Sequence, residues 1–592
     1  MPEQSEYPVK TRIVTVTNKK TGVKYLVERK TQYDPQRRYN RVLSSRSLGQ
    51  KIPLGAEDPI RCRPKAKPGE LKSTPQTEAK RRRTGASEIV DWACRESGLA
   101  DAVKKAYPAG GIAEKLLSIA HFLVMTGETV NNIESWQYEH DLPYQEGMSE
   151  DMCYELFDIL GLNESGMQRL FANLAEIGEA DGKGVIAFDS TTVSSYSDPD
   201  GDIKPYARAS FNKAGDGLDT FKLLTFYSIG SRLPISFELQ PGNIADVSSL
   251  LNAVKRLKVF VTSSPALVVM DNGFFSQNNV CTCLRQSVKF TMRATLDDTW
   301  IFKHLAAPAT NEMPSIMEEL QFMGSVCPFD SSTRGATRMA MTEFTWKRQK
   351  ARGDKKAGDT ERKSFRLYYH YYLNEAKATS HRTEFSAKLQ NIKARIEAGE
   401  ELSGADAKLT EKYLIVKKVR GGVKVSYNEQ ACLEAQRYFG MFVLISNEDK
   451  DAWSALKHYR QRTLIERSYA VIKSELDGER ARVWTIASER GKEICRLIAL
   501  GLHFYLQDAL DRVAKTAQER AADESLAKKE RKRYEQLSKW MKKMTLKKTL
   551  RWFDCVETVT VENQKGKNRW ITESIKRDAL FKELLFKGAP IE

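Results

Sequence analysis

Four residues that can bind metal ions or phosphate groups recur along one short segment of the chain. The segment Tyr459 to Lys473 reads YRQRTLIERSYAVIK, so Tyr459, Arg462, Glu466 and Lys473 are separated by steps of three, four and seven residues. These steps are close to whole turns of an α-helix and place all four side chains on one face. The apolar residues that supply the remaining surface are Leu464, Ile465, Tyr469, Val471 and Ile472. We therefore predict a helix that packs into a core and keeps a carboxylate and its cationic neighbours at an edge.

Two aspartates directly follow apolar runs that are typical of buried strands. Residues 184 to 188 (GVIAF) precede Asp189, and residues 266 to 270 (ALVVM) precede Asp271. Short apolar runs of this kind form the inner strands of a sheet. Ligands and metals in α/β sheets bind where strands end, so we expect Asp189, Asp271 and Glu466 to lie close together.

Three carboxylates without a histidine or cysteine partner favour a hard divalent cation, Mg²⁺ or Mn²⁺. Two such ions, roughly 3.5–4 Å apart, can activate an attacking oxygen and stabilise a leaving oxygen at phosphorus. The predicted chemistry is cleavage or transfer of a phosphodiester, with Asp189, Asp271 and Glu466 as the ligands. Each carboxylate also has a purely structural alternative, as a turn cap, an Asx turn or a partner of basic neighbours on its helix.

These residues resemble the signature of bacterial insertion-sequence DDE transposases. The spacing Y-x2-R-x3-E-x6-K, with FDST and MDNGF around the two aspartates, is similar to the Tyr-Arg-Glu-Lys motif of that family. Two further segments, PISFELQPGNIAD and YFGMFVLISN, resemble family segments that follow the first aspartate and precede the glutamate helix. The resemblance extends over about residues 181 to 510.

The resemblance implies a ribonuclease-H-like catalytic core in which the three carboxylates bind the metal ions. It also implies that Tyr459, Arg462 and Lys473 contact phosphates at the end of the transposon. The expected partners are the terminal inverted repeats and the target DNA, with a homodimer in the synaptic complex because two ends must be paired. The alternatives are a structure-selective Mg²⁺-dependent nuclease and a domesticated DNA-binding protein that no longer uses its catalytic residues.

The charge of the chain also indicates a polyanionic partner. The net charge is +17, and residues 1 to 87 hold 21 Lys and Arg against 8 Asp and Glu. Neutralising phosphates with basic side chains releases counterions and drives binding to DNA of any sequence. The cluster Lys80, Arg81, Arg82 and Arg83 is predicted to contact DNA, with a solvated tether as the alternative for any one of these residues.

The predicted architecture is multidomain α/β. Within the first region, residues 9 to 32 alternate around a turn and predict a small hairpin. Residues 511 to 551 predict one highly charged helix. The predicted regions are a basic DNA-binding arm (1–87), a helical domain (88–180), the first part of the core (181–295), an insertion (296–436), the second part of the core (437–510) and a basic helical region (511–592).

The insertion is inferred from chain length, because Asp271 and Glu466 are 195 residues apart and a compact ribonuclease-H-like fold needs far less. Its aromatic and basic residues could hold phosphates and stack on an unpaired base. We name Trp346 and Trp300 as the candidates for stacking, although a buried tryptophan is the commoner role.

Other classes of protein are disfavoured by what the sequence does not contain. It has no GxxxxGK[ST] phosphate loop, no HExxH zinc helix and no CxxC pair among its nine cysteines. No apolar run reaches the roughly 18 residues that span a bilayer, and the amino terminus has no signal core. The expected location is therefore the cytoplasm, in association with the nucleoid.

Overall fold

The computed structural model divides the chain into two compact units, residues 1–79 with 561–568, and residues 80–560 with 569–592. The residues that it describes are 7–20, 22–52, 61–62, 77–178, 184–196, 202–210, 215–260, 266–296, 300–301, 320, 324–347, 358–419, 422–436, 438–478, 480–563, 566–572 and 575–586. No helix in these ranges is both long enough and apolar enough to cross a membrane.

The smaller unit contains an antiparallel sheet in the order β1-β2-β3-β4. Its strands are β1 (Lys10–Thr17), β2 (Lys24–Asp34), β3 (Tyr39–Ile52) and β4 (Arg61–Cys62). Strands β1 and β2 pair from Lys10 opposite Thr31 to Thr17 opposite Lys24, which confirms the predicted hairpin. Within the predicted basic arm, residues 53–60 and 63–76 lie outside the described ranges.

Strand β5 (Thr77–Arg83) ends inside the larger unit, whose chain then continues through helices before the central sheet. These helices are α1 (Gly85–Glu96), α2 (Leu99–Ala106), α3 (Ile112–Thr126), α4 (Ile133–Trp136), α5 (Glu150–Leu162) and α6 (Glu164–Gly178). Apolar residues at helical spacing bury one side of each longer helix, as with Leu116, Ile119 and Leu123 of α3. The start of α5 is capped by the Ser149 side chain, which accepts a hydrogen bond from the Met152 amide.

The central sheet of the larger unit is mixed and holds ten strands within the described residues. Its order is β11-β12-β13-β16-β10-β9-β6-β7-β8. Strand β17 pairs in parallel with the last two residues of β6, Ser194 and Ser195. The strands are β6 (Val185–Ser195), β7 (Thr220–Ser228), β8 (Leu233–Pro241), β9 (Leu267–Met270), β10 (Lys289–Ala294), β11 (Ser325–Cys327), β12 (Asp330–Lys347), β13 (Thr360–Asn374), β16 (Met441–Ser446) and β17 (Arg480–Ala481). Along the chain, helix α7 (Asp246–Phe260) lies between β8 and β9, and helix α8 (Gln277–Arg285) lies between β9 and β10.

The order of the inner strands places both aspartates at the centre of the sheet. Strand β6 is parallel to β9, with Phe188 opposite Met270, and β9 is parallel to β10. All four residues of β9 are buried, as expected for a parallel strand that is covered on both faces. The mixed sheet is consistent with a ribonuclease-H-like fold.

Part of the stretch predicted as an insertion continues this sheet. Strands β12 and β13 pair from Thr333 opposite Asn374 to Lys347 opposite Thr360. Strand β13 also pairs with β16 from Tyr368 opposite Ser446 to Leu373 opposite Met441. The aromatic run in β13 is therefore buried rather than presented to a ligand. The other elements here are α9 (Glu375–Glu397), α10 (Gly404–Tyr413), β14 (Leu414–Val419), β15 (Gly422–Tyr427) and α11 (Glu429–Gln436).

The carboxyl-terminal part corrects the prediction of one helix over residues 511 to 551. A 37-residue helix ends at Ala522, and a turn stabilised by hydrogen bonds from Ser525 to the Asp523 carboxylate precedes the next helix. A second break falls at Thr545, which caps the following helix. The elements are α12 (Ala452–Gln461), α13 (Thr463–Glu475), α14 (Ile486–Ala522), α15 (Lys528–Met541), α16 (Leu546–Phe553), β18 (Glu557–Asn563), β19 (Gly566–Ile571) and α17 (Lys576–Phe586).

Candidate active site

The two predicted aspartates lie next to each other on neighbouring parallel strands. Asp189 immediately follows Phe188 in β6, and Asp271 immediately follows Met270 at the end of β9. Asp271 is at a strand end, as predicted. Asp189 is inside a strand instead, because the β-branched and hydroxyl residues after it continue β6 to Ser195.

The predicted glutamate helix is two helices that meet at one residue. Helix α12 ends at Gln461 and α13 begins at Thr463, while Arg462 between them keeps right-handed backbone angles of φ −55° and ψ −26°. The four predicted residues consequently stay on one side of a nearly continuous helical segment. Tyr459 lies on α12, and Glu466 and Lys473 lie on α13.

The Arg462 guanidinium lies among all three carboxylates. Its Nη1 is 2.9 Å from Asp189 Oδ2, and its Nη2 is 2.8 Å from Glu466 Oε1 and 3.8 Å from Asp271 Oδ2. The Arg462 and Asp189 side chains are only 11% and 16% exposed, so the ion pair between them is weakly screened by solvent. The structure therefore brings together the predicted triad, with a protein cation at its centre.

The two remaining members of the predicted signature hold parts of the same site. The Tyr459 hydroxyl donates to Asp271 Oδ1 at 2.9 Å. The Lys473 ammonium donates to the Thr192 carbonyl oxygen of β6 at 3.0 Å. Both side chains thus already make hydrogen bonds within the chain. To bind a phosphate, either one would have to leave its present partner or contact the phosphate in addition to it.

Tyr469 is a positioning residue that the sequence reasoning assigned only to the apolar face. Its hydroxyl donates to the backbone carbonyl of Asp189 at 2.7 Å, and its side chain is buried. The sequence could have indicated this role, because Tyr469 lies three residues after Glu466, on the face of the helix that turns toward the sheet. Tyr469 ties α13 to β6 and so fixes the distance between Glu466 and Asp189.

Burial dominates the electrostatics of the site. Burial raises the pKa of Asp189 to about 6, against the opposing effect of the Arg462 cation. Burial also raises the pKa of Tyr459 to about 12, and the neighbouring Asp271 carboxylate adds to this shift. A cation that enters the site would stabilise the charged form of such a buried carboxylate and lower its pKa.

The side chains fit a hard divalent cation by their chemistry. Asp189, Asp271 and Glu466 offer only oxygen ligands, the type that Mg²⁺ and Mn²⁺ prefer. Among the described residues no group of three or more His, Cys, Asp or Glu is gathered as a ready-made metal site. The guanidinium of Arg462 keeps the three carboxylates apart, because it lies between them and contacts each of them.

The predicted basic cluster lies at the start of the larger unit and is largely paired with acidic residues. Arg81 pairs with Glu557, Arg82 with Asp141, and Arg83 with both Glu139 and Asp554. Lys80, like Arg81, is exposed on β5. The structure does not bring these residues to the carboxylates through any described contact, and DNA would compete with the existing ion pairs.

Both tryptophans named for base stacking already contact side chains of the chain itself. Trp300 packs against Phe275, Phe344 and Tyr369. The Trp346 ring lies 4.9 Å from the Arg285 guanidinium, and its indole nitrogen donates to Glu361 at 2.9 Å. Stacking on a DNA base would require either ring to leave these contacts.

A mixed sheet with two aspartates on adjacent parallel strands and a glutamate on a later helix is consistent with a ribonuclease-H-like fold. Residues 180–502, more than half of the chain, match the family described as "Transposase DDE domain". The chain belongs to this family of DDE transposases, and it is a metal-dependent transposase that acts on DNA.

The other comparisons add little. Among solved structures, the piggyBac transposase synaptic complex with hairpin DNA, determined by cryo-electron microscopy, is similar with a TM-score of 0.35 and 12% identity. The likeness covers 86% of this chain and 80% of that chain. A comparison with curated proteins finds no match.

Proposed function

We propose that this protein is an insertion-sequence transposase of the Tyr-Arg-Glu-Lys type, as found in bacteria, that cuts at the ends of its element and joins them to target DNA. The observation that supports this most is the convergence of Asp189, Asp271 and Glu466 on one guanidinium. Three acidic groups on separate elements gain little structurally from sharing one arginine, whereas a metal-dependent phosphodiester reaction needs all three.

The three carboxylates would hold two divalent cations, Mg²⁺ or Mn²⁺. When bound, such ions supply activation of the attacking oxygen and stabilisation of the leaving oxygen. The chain contributes the geometry. Tyr469 holds the backbone of Asp189, and Tyr459 orients the carboxylate of Asp271 through its hydroxyl.

The basic members of the signature would orient the DNA strand. Arg462 is the residue best placed to contact the scissile phosphate, because its guanidinium already lies among the three carboxylates. A planar guanidinium can bind two phosphate oxygens at once. Lys473, on the same helix face, would contact a neighbouring phosphate as a point charge.

The remaining regions would bind the ends and pair them. The basic sheet of residues 10–62 and the cluster from Lys80 to Arg83 are proposed to contact the terminal inverted repeats. The helical region of residues 88–180, the predicted insertion and the charged carboxyl-terminal helices are proposed to support a homodimer that holds two ends. Such a protein would work on the DNA of the nucleoid.

The experiment that tests this function is a product analysis on labelled duplexes that carry the element's own terminal repeats, with Mg²⁺ and a supercoiled target plasmid. We expect nicking at the end of the repeat, followed by joining of the released 3′-hydroxyl to the plasmid. A precleaved duplex with a 3′-hydroxyl should join without the first step, and its 3′-deoxy counterpart should not.

Two other results would contradict the proposal. Cutting without any joining of the 3′-hydroxyl duplex would indicate a nuclease that shares the metal site. Binding to the repeats without cutting, with Mg²⁺ or Mn²⁺, would indicate a DNA-binding protein that has lost its catalytic role.

A further inference from the structure

A small cavity beside the candidate active site has several basic residues among those that line it. Its volume is about 100 Å³, and Tyr459 forms part of its wall. Four of its lining residues, Arg293, Lys377, His381 and Arg460, are basic, and none is acidic. The same cavity is therefore lined by basic residues and by a residue that holds Asp271.

The basic side chains come from three different elements, β10, α9 and α12. Arg460 is paired with Asp330. Within the part of the chain that the structure describes, neither Arg293 nor Lys377 has a carboxylate within ion-pair distance, and Arg293 lies over the Phe442 ring at 5.9 Å. Two cations that line one cavity without a counter-charge repel each other, so an anion that drew their charged ends into the cavity would be stabilised there.

The backbone around the cavity holds these elements in place. The Asn374 side chain caps α9 by accepting from the Lys377 amide at 2.8 Å, and the Asn374 amide donates to the Gly440 carbonyl at 3.0 Å. Gly440 has φ +81°, and a Cβ there would lie 2.5 Å from the Asn374 carbonyl oxygen. The close approach that this glycine permits ties the first turn of α9 to β16, the strand next to β10.

The volume of the cavity limits the size of the anion that can bind in it. The cavity volume is about 100 Å³. It is well below the ~300–1,000 Å³ of a typical small-molecule pocket. The cavity therefore suits one phosphate group and excludes a whole nucleotide or an extrahelical base.

We propose that this cavity, the phosphate pocket (Arg293, Lys377, His381 and Arg460), binds one backbone phosphate of the DNA strand next to the scissile phosphate. The inference rests on the proposed function, since Tyr459 links the pocket to Asp271. The phosphate pocket would set the register of the strand across the carboxylates, so that one phosphodiester is presented for attack.

The first test measures the salt dependence of DNA binding with Lys377→Gln, Arg293→Gln and the control Arg382→Gln. Arg382 is exposed on α9 five residues after Lys377, about 140° around the helix. Each lost phosphate contact should reduce the slope of log K against log salt by about 0.9. We expect this reduction for Lys377→Gln and for Arg293→Gln, about the same reduction for the pair because both side chains bind the one phosphate, and no change for Arg382→Gln.

The second test locates the phosphate. Duplexes carry a single neutral methylphosphonate, moved one position at a time through the phosphates on either side of the cleavage site. At one position the methylphosphonate and Lys377→Gln should each weaken binding, and their combination should weaken it no further, because both remove the same contact. Additive effects at every position would overturn the proposal even if Lys377→Gln alone weakens binding.

Cutting of the unmodified duplex by the wild-type protein is measured in parallel to separate two kinds of failure. Normal Mg²⁺-dependent cutting and joining together with additive methylphosphonate effects would overturn the phosphate pocket and leave the proposed function intact. A protein that neither cuts nor joins the end duplex would overturn the proposed function, and this inference with it.

Discussion

Replacing Glu466 by Gln is expected to abolish metal-dependent cutting and joining, with a loss of rate of at least ~10³-fold, because even a single hydrogen-bond donor in an active site contributes ~10²–10³-fold. Gln keeps the shape and an oxygen for the Arg462 hydrogen bond of 2.8 Å, but it removes the charge that a divalent cation requires. The Glu466 side chain is 52% exposed, so the free energy of unfolding should change by less than about 0.5 kcal/mol.

A matched control lies on the same helix. Glu475→Gln removes the same charge from the last residue of α13, nine residues after Glu466 and therefore on the opposite face. We expect Glu475→Gln to cut at close to the wild-type rate. Cutting by Glu466→Gln at the rate of Glu475→Gln would contradict the assignment of Glu466 as a catalytic ligand.

Replacing Arg462 by Gln is expected to have opposite effects on metal binding and on cutting. The guanidinium lies within 4 Å of all three carboxylates, where a unit charge is worth up to ~4 kcal/mol at an effective dielectric constant of about 20. Without DNA, Arg462→Gln should therefore bind Mn²⁺ at least ~10-fold more tightly than the wild type. Cutting should nevertheless fall by ~10²–10³-fold, because the contact to the scissile phosphate is lost.

The measurement for Arg462 is calorimetric titration of Mn²⁺ into the DNA-free protein, beside the cutting assay. Arg467→Gln is the control, since Arg467 is exposed on the same helix and no described contact links it to the carboxylates. In the wild type, DNA should strengthen Mn²⁺ binding by drawing the guanidinium toward a phosphate, and Mn²⁺ should strengthen DNA binding by the same factor. Equal or weaker Mn²⁺ binding by Arg462→Gln would show that the guanidinium does not compete with the metal.

The candidate catalytic residues could be predicted from local patterns because each lies on a short, strongly patterned segment. The strand predicted at residues 266 to 270 is observed as Leu267–Met270, with Asp271 at its end. The helical face from Tyr459 to Lys473 is also observed, although it is divided at Arg462. Apolar runs and helical spacing are properties of a few consecutive residues, so the sequence alone expresses them.

Features that depend on contacts between distant segments could not be predicted in the same way. The pairing of β13 with β16 joins residues about 70 positions apart, and no local period encodes it. Arg83 is paired with Asp554, which lies far along the chain. The basic cluster from Lys80 to Arg83, which the sequence predicts to be available for DNA, is therefore partly neutralised. The central position of Arg462 among three carboxylates likewise depends on the tertiary fold.

The most direct test of the metal site is backbone cleavage by iron bound in place of the native ion. Fe²⁺ with ascorbate and peroxide generates radicals that cut the polypeptide next to the bound metal. With end DNA present, we predict fragments that terminate near residues 189, 271 and 466, suppressed by excess Mg²⁺ and lost in Glu466→Gln. Cleavage elsewhere in the chain, or cleavage that Glu466→Gln leaves unchanged, would contradict a metal site at this triad.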